Sequence, residues 1–445
     1  MTDEKIKELS KKYNMHPWSA QGALNPTVVT KAEGIYFWDS NGKKYYDMSS
    51  QLVNMNAGHQ NPQIVQAIKD QAGKMCYMGP GYAVDVRSEL ARKIIEEIAP
   101  RNMGKVFFTL AGAEANENAI KIAKMFTGRN KFFSRYRSYH GATYGAANLN
   151  GEIRRFPSEP GIPGFIKFFD PYIYREPVIK FESEEQATAY YIAKLEEQIT
   201  YEGRDKIAAI FLESITGSNG VIIPPKGYMK GVRDLCTKYG ILMVCDEVMS
   251  GWGRTGKWFG FMHYDIEPDI ITFAKGITCG YAPLGGVIVS KEIAEHFDEN
   301  VLHCGLTYSA HLLGCAAGIA ALDFYKNEKI LDNVVAMSKI MAAKLKKLRE
   351  DHECVGECRI IGLFGMVEFI KNSKTQEAIV PYGLDTKGIM KQILGKLKEE
   401  GFATYSHENM IVVSPPLIIT EKEIDEAFVM LDKVCTWVDE TFAEN

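Results

Sequence analysis

The fold is decided by residues 272–286, which read TFAKGITCGYAPLGG. An apolar run from Ile270 to Phe273 stops shortly before Lys275, and glycines with a proline follow it. This pattern predicts a buried strand that delivers one lysine into a turn. Because burial lowers the pKa of an amine, Lys275 is a candidate nucleophile for Schiff-base chemistry. Taken alone, it could equally be an ordinary lysine at the end of a strand.

Two other apolar runs end in a carboxylate. Residues 241–245 (ILMVC) run into Asp246, and residues 207–212 (IAAIFL) run into Glu213. Because the carboxyl ends of parallel strands meet at one edge of a sheet, we expect both carboxylates to lie near Lys275. An aspartate and a lysine at such strand ends fit a pyridoxal phosphate site, in which the aspartate keeps the pyridine nitrogen protonated.

Short motifs along most of the chain resemble those of one family. They are GAEANE at 112–117, YHG at 139–141, DEV at 246–248, GWGRTG at 251–256, Lys275, GLTY at 305–308 and PPL at 415–417. In their order and spacing they resemble the class III (ω-amino-acid) aminotransferases. The resemblance implies an α/β protein with the type I pyridoxal phosphate-dependent transferase fold: a large domain with a mostly parallel seven-stranded sheet and a small α/β domain.

The resemblance also implies a division into domains. We expect residues 1–60 to form an N-terminal arm and part of the small domain, residues 61–325 the large cofactor-binding domain, and residues 326–445 the C-terminal small domain. Members of the family act as homodimers with shared active sites, so we expect the same assembly here.

The same resemblance implies a set of functional residues. Lys275 and Asp246 are the catalytic pair, and Lys275 also carries the cofactor, pyridoxal 5'-phosphate. The remaining cofactor-binding residues are Gly112, Ala113, Tyr139, His140, Glu213, Val248 and Thr307. Tyr139 is expected to stack on the cofactor ring, and Thr307 to reach the phosphate of the neighbouring subunit's cofactor. His140 is either a catalytic base or a hydrogen-bond partner behind the reacting groups.

The phosphate end of this site departs from the family pattern. A strand, Gly112 and a helix N-terminus form a natural anion site, because free backbone amides and the helix dipole meet there. The family carries serine on both sides of the glycine, whereas this chain has Ala111 and Ala113. The backbone amides can still bind phosphate, but two hydroxyl donors are missing, so other groups must supply more of the anchoring.

The substrate end departs from the family as well. Many relatives place an arginine three residues before the paired prolines, where it pairs with the Glu213 position and receives α-carboxylates; here that position is Val412. Ala142 and Met249 likewise stand where other relatives have arginine and glutamine. The substrate's anionic group must therefore be held by other side chains.

Two neighbouring arginines are the candidates for that role. Guanidinium binds carboxylate or sulfonate oxygens in bidentate fashion, so we expect Arg154 or Arg155 to bind the substrate, although a plain surface role is equally open for both. Trp18 is expected to close the pocket, because the N-terminal arm of the family reaches over the active-site mouth, often that of the partner subunit. The alternative is that Trp18 only anchors the arm.

Within the family, HPWSAQ at 16–21 and ESITGSNG at 213–220 are most similar to taurine:2-oxoglutarate aminotransferases. The resemblance implies taurine as donor and 2-oxoglutarate as acceptor, giving sulfoacetaldehyde and glutamate. Another donor (β-alanine, 4-aminobutyrate or a diamine) and pyruvate as acceptor stay open. A racemase or aminomutase on the same fold and a non-enzymatic binding protein are rival hypotheses; the intact Lys275 and Asp246 argue against the last.

Composition, net charge and cysteine placement further limit the class of protein. The 445 residues carry a net charge of −4 and give a pI near 6.2, which argues against nucleic-acid binding. The nine cysteines are scattered through apolar stretches, as in reduced cytosolic proteins. The charged N-terminus is unlike a signal peptide, and no apolar run reaches a membrane span of roughly 20 residues. We expect a cytoplasmic enzyme whose partners are small-molecule substrates, with no nucleic acid and no membrane.

Two patterns invite other interpretations. Residues 251–257 (GWGRTGK) nearly spell a nucleotide-binding loop, but the aromatic run that follows does not predict the helix that such a loop requires. We interpret them as a loop beside the cofactor. His352, Cys354 and Cys358 suggest a metal site, but no fourth ligand stands at zinc spacing, so no metal is expected.

Local signals complete the expected architecture. Ser40-Asn41-Gly42 lies between aromatic-rich runs and predicts a hairpin within residues 34–47. Residues 150–185 predict a long irregular excursion. Beyond residue 326, helical patterns at 331–351 and 386–400 alternate with strand patterns and predict a small α/β lobe.

Overall fold

The computed structural model describes residues 1–444. Its α-helices are α1 (Asp3–Tyr13), α2 (Ser50–Val53), α3 (Pro62–Lys74), α4 (Asp85–Glu97), α5 (Gly112–Thr127), α6 (Tyr144–Leu149), α7 (Glu184–Glu202), α8 (Tyr228–Tyr239), α9 (Lys291–Glu299), α10 (Leu312–Asn327), α11 (Ile330–Asp351), α12 (Ile389–Glu400) and α13 (Glu421–Phe442). Its β-strands are β1 (Val29–Glu33), β2 (Tyr36–Asp39), β3 (Lys44–Asp47), β4 (Met103–Thr109), β5 (Lys131–Arg135), β6 (Phe165–Phe168), β7 (Ile207–Glu213), β8 (Leu242–Asp246), β9 (Ile270–Phe273), β10 (Gly285–Ser290), β11 (Val355–Ile361), β12 (Phe364–Asn372), β13 (Glu377–Ala378), β14 (Phe402–Ala403), β15 (Ser406–His407) and β16 (Met410–Val413). Short 3-10 helices include Ile153–Ser158 and Lys275–Ile277.

A seven-stranded sheet forms the centre of the large domain, in the order β4-β10-β9-β8-β7-β5-β6. Strand β10 runs antiparallel to β4 and β9, and the other neighbouring pairs are parallel. Every residue of β7 is buried, as expected for a central parallel strand that is covered on both faces. The mostly parallel seven-stranded sheet expected from the sequence is confirmed.

The register of this sheet places the two carboxylates side by side. Glu213, the last residue of β7, pairs with Asp246, the last residue of β8, and Asp246 pairs with Thr272 of β9. Lys275 follows just past the end of β9. The N-terminus of α5 follows β4 at the same edge. Parallel strands thus bring all these groups to one side of the sheet.

Two smaller sheets complete the fold, and one of them joins the N-terminal region to the C-terminal part of the chain. Strands β1, β2 and β3 form one sheet with β14, which pairs parallel with β3. Strands β11, β12, β16 and β15 form the other, with β13 on β12. The pairing of β14 with β3 is in keeping with an N-terminal region that contributes to the small domain; the boundaries at residues 60 and 325 stay predictions.

The hairpin predicted at residues 34–47 is present. Strands β2 and β3 pair antiparallel around the turn at Ser40-Asn41-Gly42. Gly42 has a φ of 79°, which glycine adopts without a steric penalty. Strand β1, which the sequence did not predict, adds to β2 on the other side.

Residues 150–185 are less irregular than predicted. They contain β6, which pairs parallel with β5 at the edge of the large sheet. Its four residues (FIKF) are too few for the period of a strand to stand out. Helix α12 begins at Ile389 rather than at residue 386, because Gly388 has a left-handed φ of 64° that cannot continue into the helix.

His352 lies between two carboxylates of α13. Its Nδ1 is 2.7 Å from Asp439 Oδ2 and its Nε2 is 3.1 Å from Asp432 Oδ1. Within residues 1–444, no group of His, Cys, Asp and Glu side chains could hold a metal ion. Across the same residues, no helix is both long enough and apolar enough to cross a membrane.

Candidate active site

A cavity of about 1180 Å³ lies at the edge of the large sheet where the parallel strands end. Most of the predicted site residues line it: Trp18, Gly112, Ala113, Tyr139, His140, Arg154, Glu213, Asp246, Val248 and Lys275. Arg155 and Thr307 do not. Tyr405 and the two residues of β15, from the C-terminal part of the chain, also line it.

Lys275 sits in a strained and tightly held turn. Its φ of 50° is left-handed, a conformation that costs an L-residue about 1–2 kcal/mol. The hydroxyl of Tyr325 donates to the Gly276 carbonyl at 2.7 Å, and a Cβ on Gly276 would come within 2.8 Å of Trp252. Burial lowers the pKa of the Lys275 amine to about 8, although the charge of Asp246 opposes this shift. More of the amine is therefore unprotonated near neutral pH than in an ordinary lysine, as a nucleophile requires.

Asp246 is buried within a network of polar side chains. Its Oδ2 accepts from Asn116 Nδ2 at 2.8 Å and lies 2.7 Å from His140 Nδ1, and its Oδ1 accepts from the Val248 N–H at 3.0 Å. The Thr272 hydroxyl in turn donates to Asn116 Oδ1 at 2.8 Å. These contacts fix the carboxylate in one orientation. They also favour, for His140, the role of hydrogen-bond partner over that of catalytic base.

The N-terminus of α5 can hold an anion without side-chain donors. Ala111 provides no side-chain cap, so the first backbone amides of the helix stay available. A Cβ on Gly112 would come within 2.8 Å of the Val248 side chain, and a Cβ on Gly141 within 2.5 Å of Ala113. Glycine is therefore required at both positions, and the close packing keeps side chains away from the amides.

Glu213 holds the turn that carries Tyr139. Its Oε1 accepts from the Tyr139 N–H at 3.0 Å, and its Oε2 accepts from the Gly217 N–H at 2.7 Å. Burial raises the pKa of the Glu213 carboxyl. Because both carboxylate oxygens already have backbone donors, Glu213 needs no arginine partner. This agrees with Val412, which is buried in an apolar cluster and does not line the cavity.

Arg154 is the one arginine that lines this cavity within residues 1–444. Its Nε donates to Glu152 Oε1 at 2.6 Å, and its Nη2 donates to Ser218 Oγ at 3.0 Å. Its Cζ lies 3.9 Å from the centre of the Tyr139 ring. Glu152 is fully buried and also accepts from the Arg154 N–H at 3.1 Å. The guanidinium is thus oriented from one side, and Nη1 is left without a hydrogen bond to residues 1–444.

Arg155 does not reach the cavity, so this candidate for the substrate anion is not supported by its position. Its Nε donates to Glu159 Oε1 at 2.9 Å, and its Nη1 donates to the Gly151 carbonyl. The side chain lines a second cavity of about 950 Å³. The cause is the 3-10 helix Ile153–Ser158, which turns by about 120° per residue and so directs neighbouring side chains to different sides.

Trp18 lies at the mouth of the cavity of its own chain. Its side chain is 65% exposed, so it is not a buried anchor. Gln21 holds this segment, since its Nε2 donates to the carbonyls of His16 at 2.8 Å and Ser19 at 2.7 Å. Thr307 is exposed and outside this cavity; its carbonyl accepts from the Tyr77 hydroxyl at 2.7 Å.

The loop at residues 251–256 joins separate parts of the chain instead of lining the cavity. No helix begins in it, in line with the rejection of a nucleotide-binding loop. The expectation of a loop beside the cofactor is not supported, because none of residues 251–256 lines the cavity. Its buried Arg254 donates to the carbonyls of Leu363 at 2.9 Å and Pro415 at 2.6 Å and to Asn56 Oδ1 at 2.7 Å. Burial lowers the pKa of this guanidinium to about 10. The loop therefore links Asn56 near the N-terminus with Leu363 and Pro415 in the C-terminal part of the chain.

Two positioning residues were not identified from the sequence. Asn116 belongs to α5 and lies four residues after Gly112, which places both on one face of the helix; that spacing was the available signal. Glu152 carried no such signal, because its partnership with Arg154 depends on the local 3-10 turn.

An activated lysine, a fixed aspartate and a helix N-terminus at the carboxyl edge of a mostly parallel sheet define a pyridoxal phosphate-dependent enzyme of fold type I. The model of the family "Aminotransferase class-III" matches residues 18–435, and the chain belongs to this family.

Three relatives illustrate its similarities. The chain is 50% identical to a taurine:2-oxoglutarate aminotransferase from Bifidobacterium kashiwanohense, solved in complex with PLP and glutamate; the TM-score is 0.97, over 100% of this chain and 99% of that chain. It is 31% identical to a taurine–pyruvate aminotransferase from Bilophila wadsworthia, over 98% of this chain and 97% of the relative. It is 32% identical to a putrescine–pyruvate aminotransferase from Pseudomonas aeruginosa, over 97% of each.

The protein is thus an aminotransferase that depends on pyridoxal phosphate, and the first of the sequence hypotheses is confirmed. The cavity fits this cofactor, since it joins free amides at α5, where a Cβ on Gly112 has no room, to the fixed Asp246 carboxylate. The buried Nε2 of His140 also has no partner within residues 1–444. When bound, the cofactor withdraws electrons from the substrate carbon that loses a proton.

Proposed function

We propose that this enzyme transfers the amino group of taurine to 2-oxoglutarate, giving sulfoacetaldehyde and glutamate. The observation that carries the proposal is Arg154, an oriented guanidinium in the cavity that holds Lys275. A sulfonate is anionic at every physiological pH, and guanidinium binds such oxygens well. The relative at 50% identity is described as acting on taurine and 2-oxoglutarate. We further propose that the enzyme acts in the cytoplasm.

The relatives at 31–32% identity define the alternatives. Two of them are described as using pyruvate, and one as using putrescine, so pyruvate is the alternative acceptor and a diamine the alternative donor. The second ammonium of a diamine would meet Arg154, and like charges in a partly buried cavity repel. We therefore favour an anionic donor.

We assign the chemistry to residues as follows. Lys275 would hold the cofactor covalently, and its free amine would move a proton at the substrate carbon. Asp246 keeps the ring nitrogen protonated, with Asn116 and His140 fixing its orientation. The amides of Gly112 and Ala113 would hold the phosphate, and Tyr139 and Val248 would contact the ring. Glu213 holds the Tyr139 turn. Arg154 would bind the substrate anion, and Trp18 lies at the cavity mouth.

A screen of donors against acceptors tests this function. Purified enzyme would be offered taurine, β-alanine, 4-aminobutyrate and putrescine, each with 2-oxoglutarate or pyruvate, and the product amino acid would be quantified. We expect taurine with 2-oxoglutarate to give the highest kcat/KM. Good turnover of the other donors with none of taurine would refute the substrate while leaving the aminotransferase intact.

Replacing Arg154 with alanine should raise the KM for taurine strongly and change kcat less. A lost hydrogen bond to a charged group costs about 1.5–3 kcal/mol, which corresponds to roughly a tenfold to hundredfold increase. Steady-state kinetics at saturating 2-oxoglutarate would measure it. Arg155→Ala is the matched control, because the neighbouring arginine lines the other cavity and its loss should leave the taurine KM nearly unchanged. Equal effects of the two variants would remove Arg154 from the substrate site.

We also propose a homodimer in which Thr307 contacts the phosphate in the partner's active site. Mixing Lys275→Ala with Thr307→Ala subunits should then restore activity, because one site of each hybrid dimer has both residues intact. After equimolar exchange, about a quarter of the wild-type activity is expected from random pairing in a two-fold dimer. Light scattering would give the mass of the active species, and a fully active monomer would disprove the shared site.

A further inference from the structure

The part of the catalytic cavity that Arg154 lines carries a second hydrogen-bond donor. Tyr405 directly precedes β15 and lines the cavity. Its hydroxyl makes no hydrogen bond to any described residue, whereas its backbone is fixed, since its carbonyl accepts from the Val412 N–H at 3.2 Å. The β15–β16 hairpin therefore positions the ring and leaves the hydroxyl available to a ligand.

Two guanidinium groups act on this hydroxyl, and Glu152 pairs with that of Arg154 but not with that of Arg254. Burial raises the pKa of Tyr405, and the charges of Arg154 and Arg254 oppose that rise. Arg254 donates only to neutral acceptors within residues 1–444, so no carboxylate neutralises it at close range. A phenol that stays protonated beside two guanidinium groups is a donor for an anion.

Three N–H groups of Arg154 are free, but only two of them, one on Nη1 and one on Nη2, are parallel and so able to bind one anion in bidentate fashion. Glu152 occupies Nε, and Ser218 occupies one N–H of Nη2. The N–H groups left on Nη1 and Nη2 can bind two oxygens in bidentate fashion. A carboxylate has no further oxygen to satisfy, whereas a sulfonate has a third.

We propose that Tyr405 is a specificity-determining residue, whose hydroxyl donates to the third oxygen of a sulfonate that Arg154 holds by the other two. The enzyme thereby favours a sulfonate over a carboxylate donor of the same length. This inference rests on the proposed function and refines its substrate class. The neighbouring His407 is already engaged, because its Nε2 lies 3.0 Å from Asn219 Oδ1.

The test compares Tyr405→Phe with the wild-type enzyme on pairs of ligands that differ only in the anionic group. Taurine and β-alanine serve as donors, and ethanesulfonate and propionate serve as competitive inhibitors. Loss of one hydrogen bond to a charged group should raise both the KM for taurine and the inhibition constant of ethanesulfonate about tenfold. The carboxylates should change by no more than about twofold. Tyr382→Phe, the same change outside this cavity, is the control and should alter neither pair.

The outcomes separate this inference from the proposed function. Equal changes for sulfonates and carboxylates, or no change for either, overturn the role of Tyr405. Wild-type enzyme that binds ethanesulfonate no better than propionate overturns it too. If taurine is not a donor but ethanesulfonate inhibits selectively and loses that selectivity in Tyr405→Phe, the proposed reaction fails while the sulfonate site stands.

Discussion

Replacing Lys275 with alanine is expected to abolish amino transfer while the protein stays folded. Lys275 is the one lysine that lines the catalytic cavity within residues 1–444, so no other amine can replace it. The variant loses both covalent attachment of the cofactor and proton transfer, and the second alone is worth up to about 10⁴-fold in rate. Because the two losses combine, turnover should fall by about 10⁴-fold or more. Stability should change little, because alanine removes an amine that burial already disfavours in its charged form.

Single-turnover kinetics and mass spectrometry after borohydride reduction would measure both losses. Borohydride should fix the cofactor to Lys275 in the wild-type protein and leave the variant unlabelled. Lys121→Ala is a suitable control, since this lysine is exposed on α5 outside the cavity, and it should behave as wild type. Transamination that survives in Lys275→Ala would rule out this residue as the catalytic amine.

The second large effect is expected for Asp246→Asn. Asparagine keeps the shape of the side chain but cannot hold a pyridinium proton by charge. It also places an amide group where the carboxylate now accepts from Asn116 and lies against His140. Removing one preorganised electrostatic contact from a buried site typically costs about a hundredfold to a thousandfold in kcat. Cofactor affinity should fall much less, because the phosphate contacts at α5 are untouched.

Titration of the apoenzyme with pyridoxal phosphate, followed by kcat measurements at saturating cofactor, would separate the two quantities. Asp234→Asn makes the same chemical change at an exposed position on α8 and should leave both unchanged. If Asp246→Asn turns over at the wild-type rate, the aspartate is only structural. If cofactor binding and kcat fall in equal measure, its main role is in binding.

The buried strands were the most predictable part of the fold. Strands β7, β8 and β9 are continuous apolar runs that end in a polar residue or a glycine-rich turn. This pattern is typical of a fully buried strand. By contrast, β14 and β15 have two residues each. Two residues are too few to form a recognisable pattern. Strand β14 forms only because it pairs with β3, which is far away in the sequence, and β15 forms only because it pairs with β16 across a turn.

The site residues likewise divide into those that the sequence predicts and those that depend on the packing of distant parts of the chain. The strand ends were the signal for Glu213, Asp246 and Lys275. Each of these polar residues stands at or just after the end of an apolar run. The contact between Asn116 and Asp246 joins residues 130 positions apart, and it depends on how α5 packs against the sheet. Arg154 and Arg155 could not be distinguished at all, because adjacent residues of one type differ only in the direction that the backbone gives them.

That direction has a consequence for how such enzymes diverge. The 3-10 helix Ile153–Ser158 separates two cavities and has a repeat of about three residues per turn. Inserting or deleting a single codon just ahead of it would rotate every following side chain by about 120°, and so withdraw one arginine from the catalytic cavity and present another group. Changes in loop length can thus alter which molecules this scaffold accepts, even where every residue type has been kept.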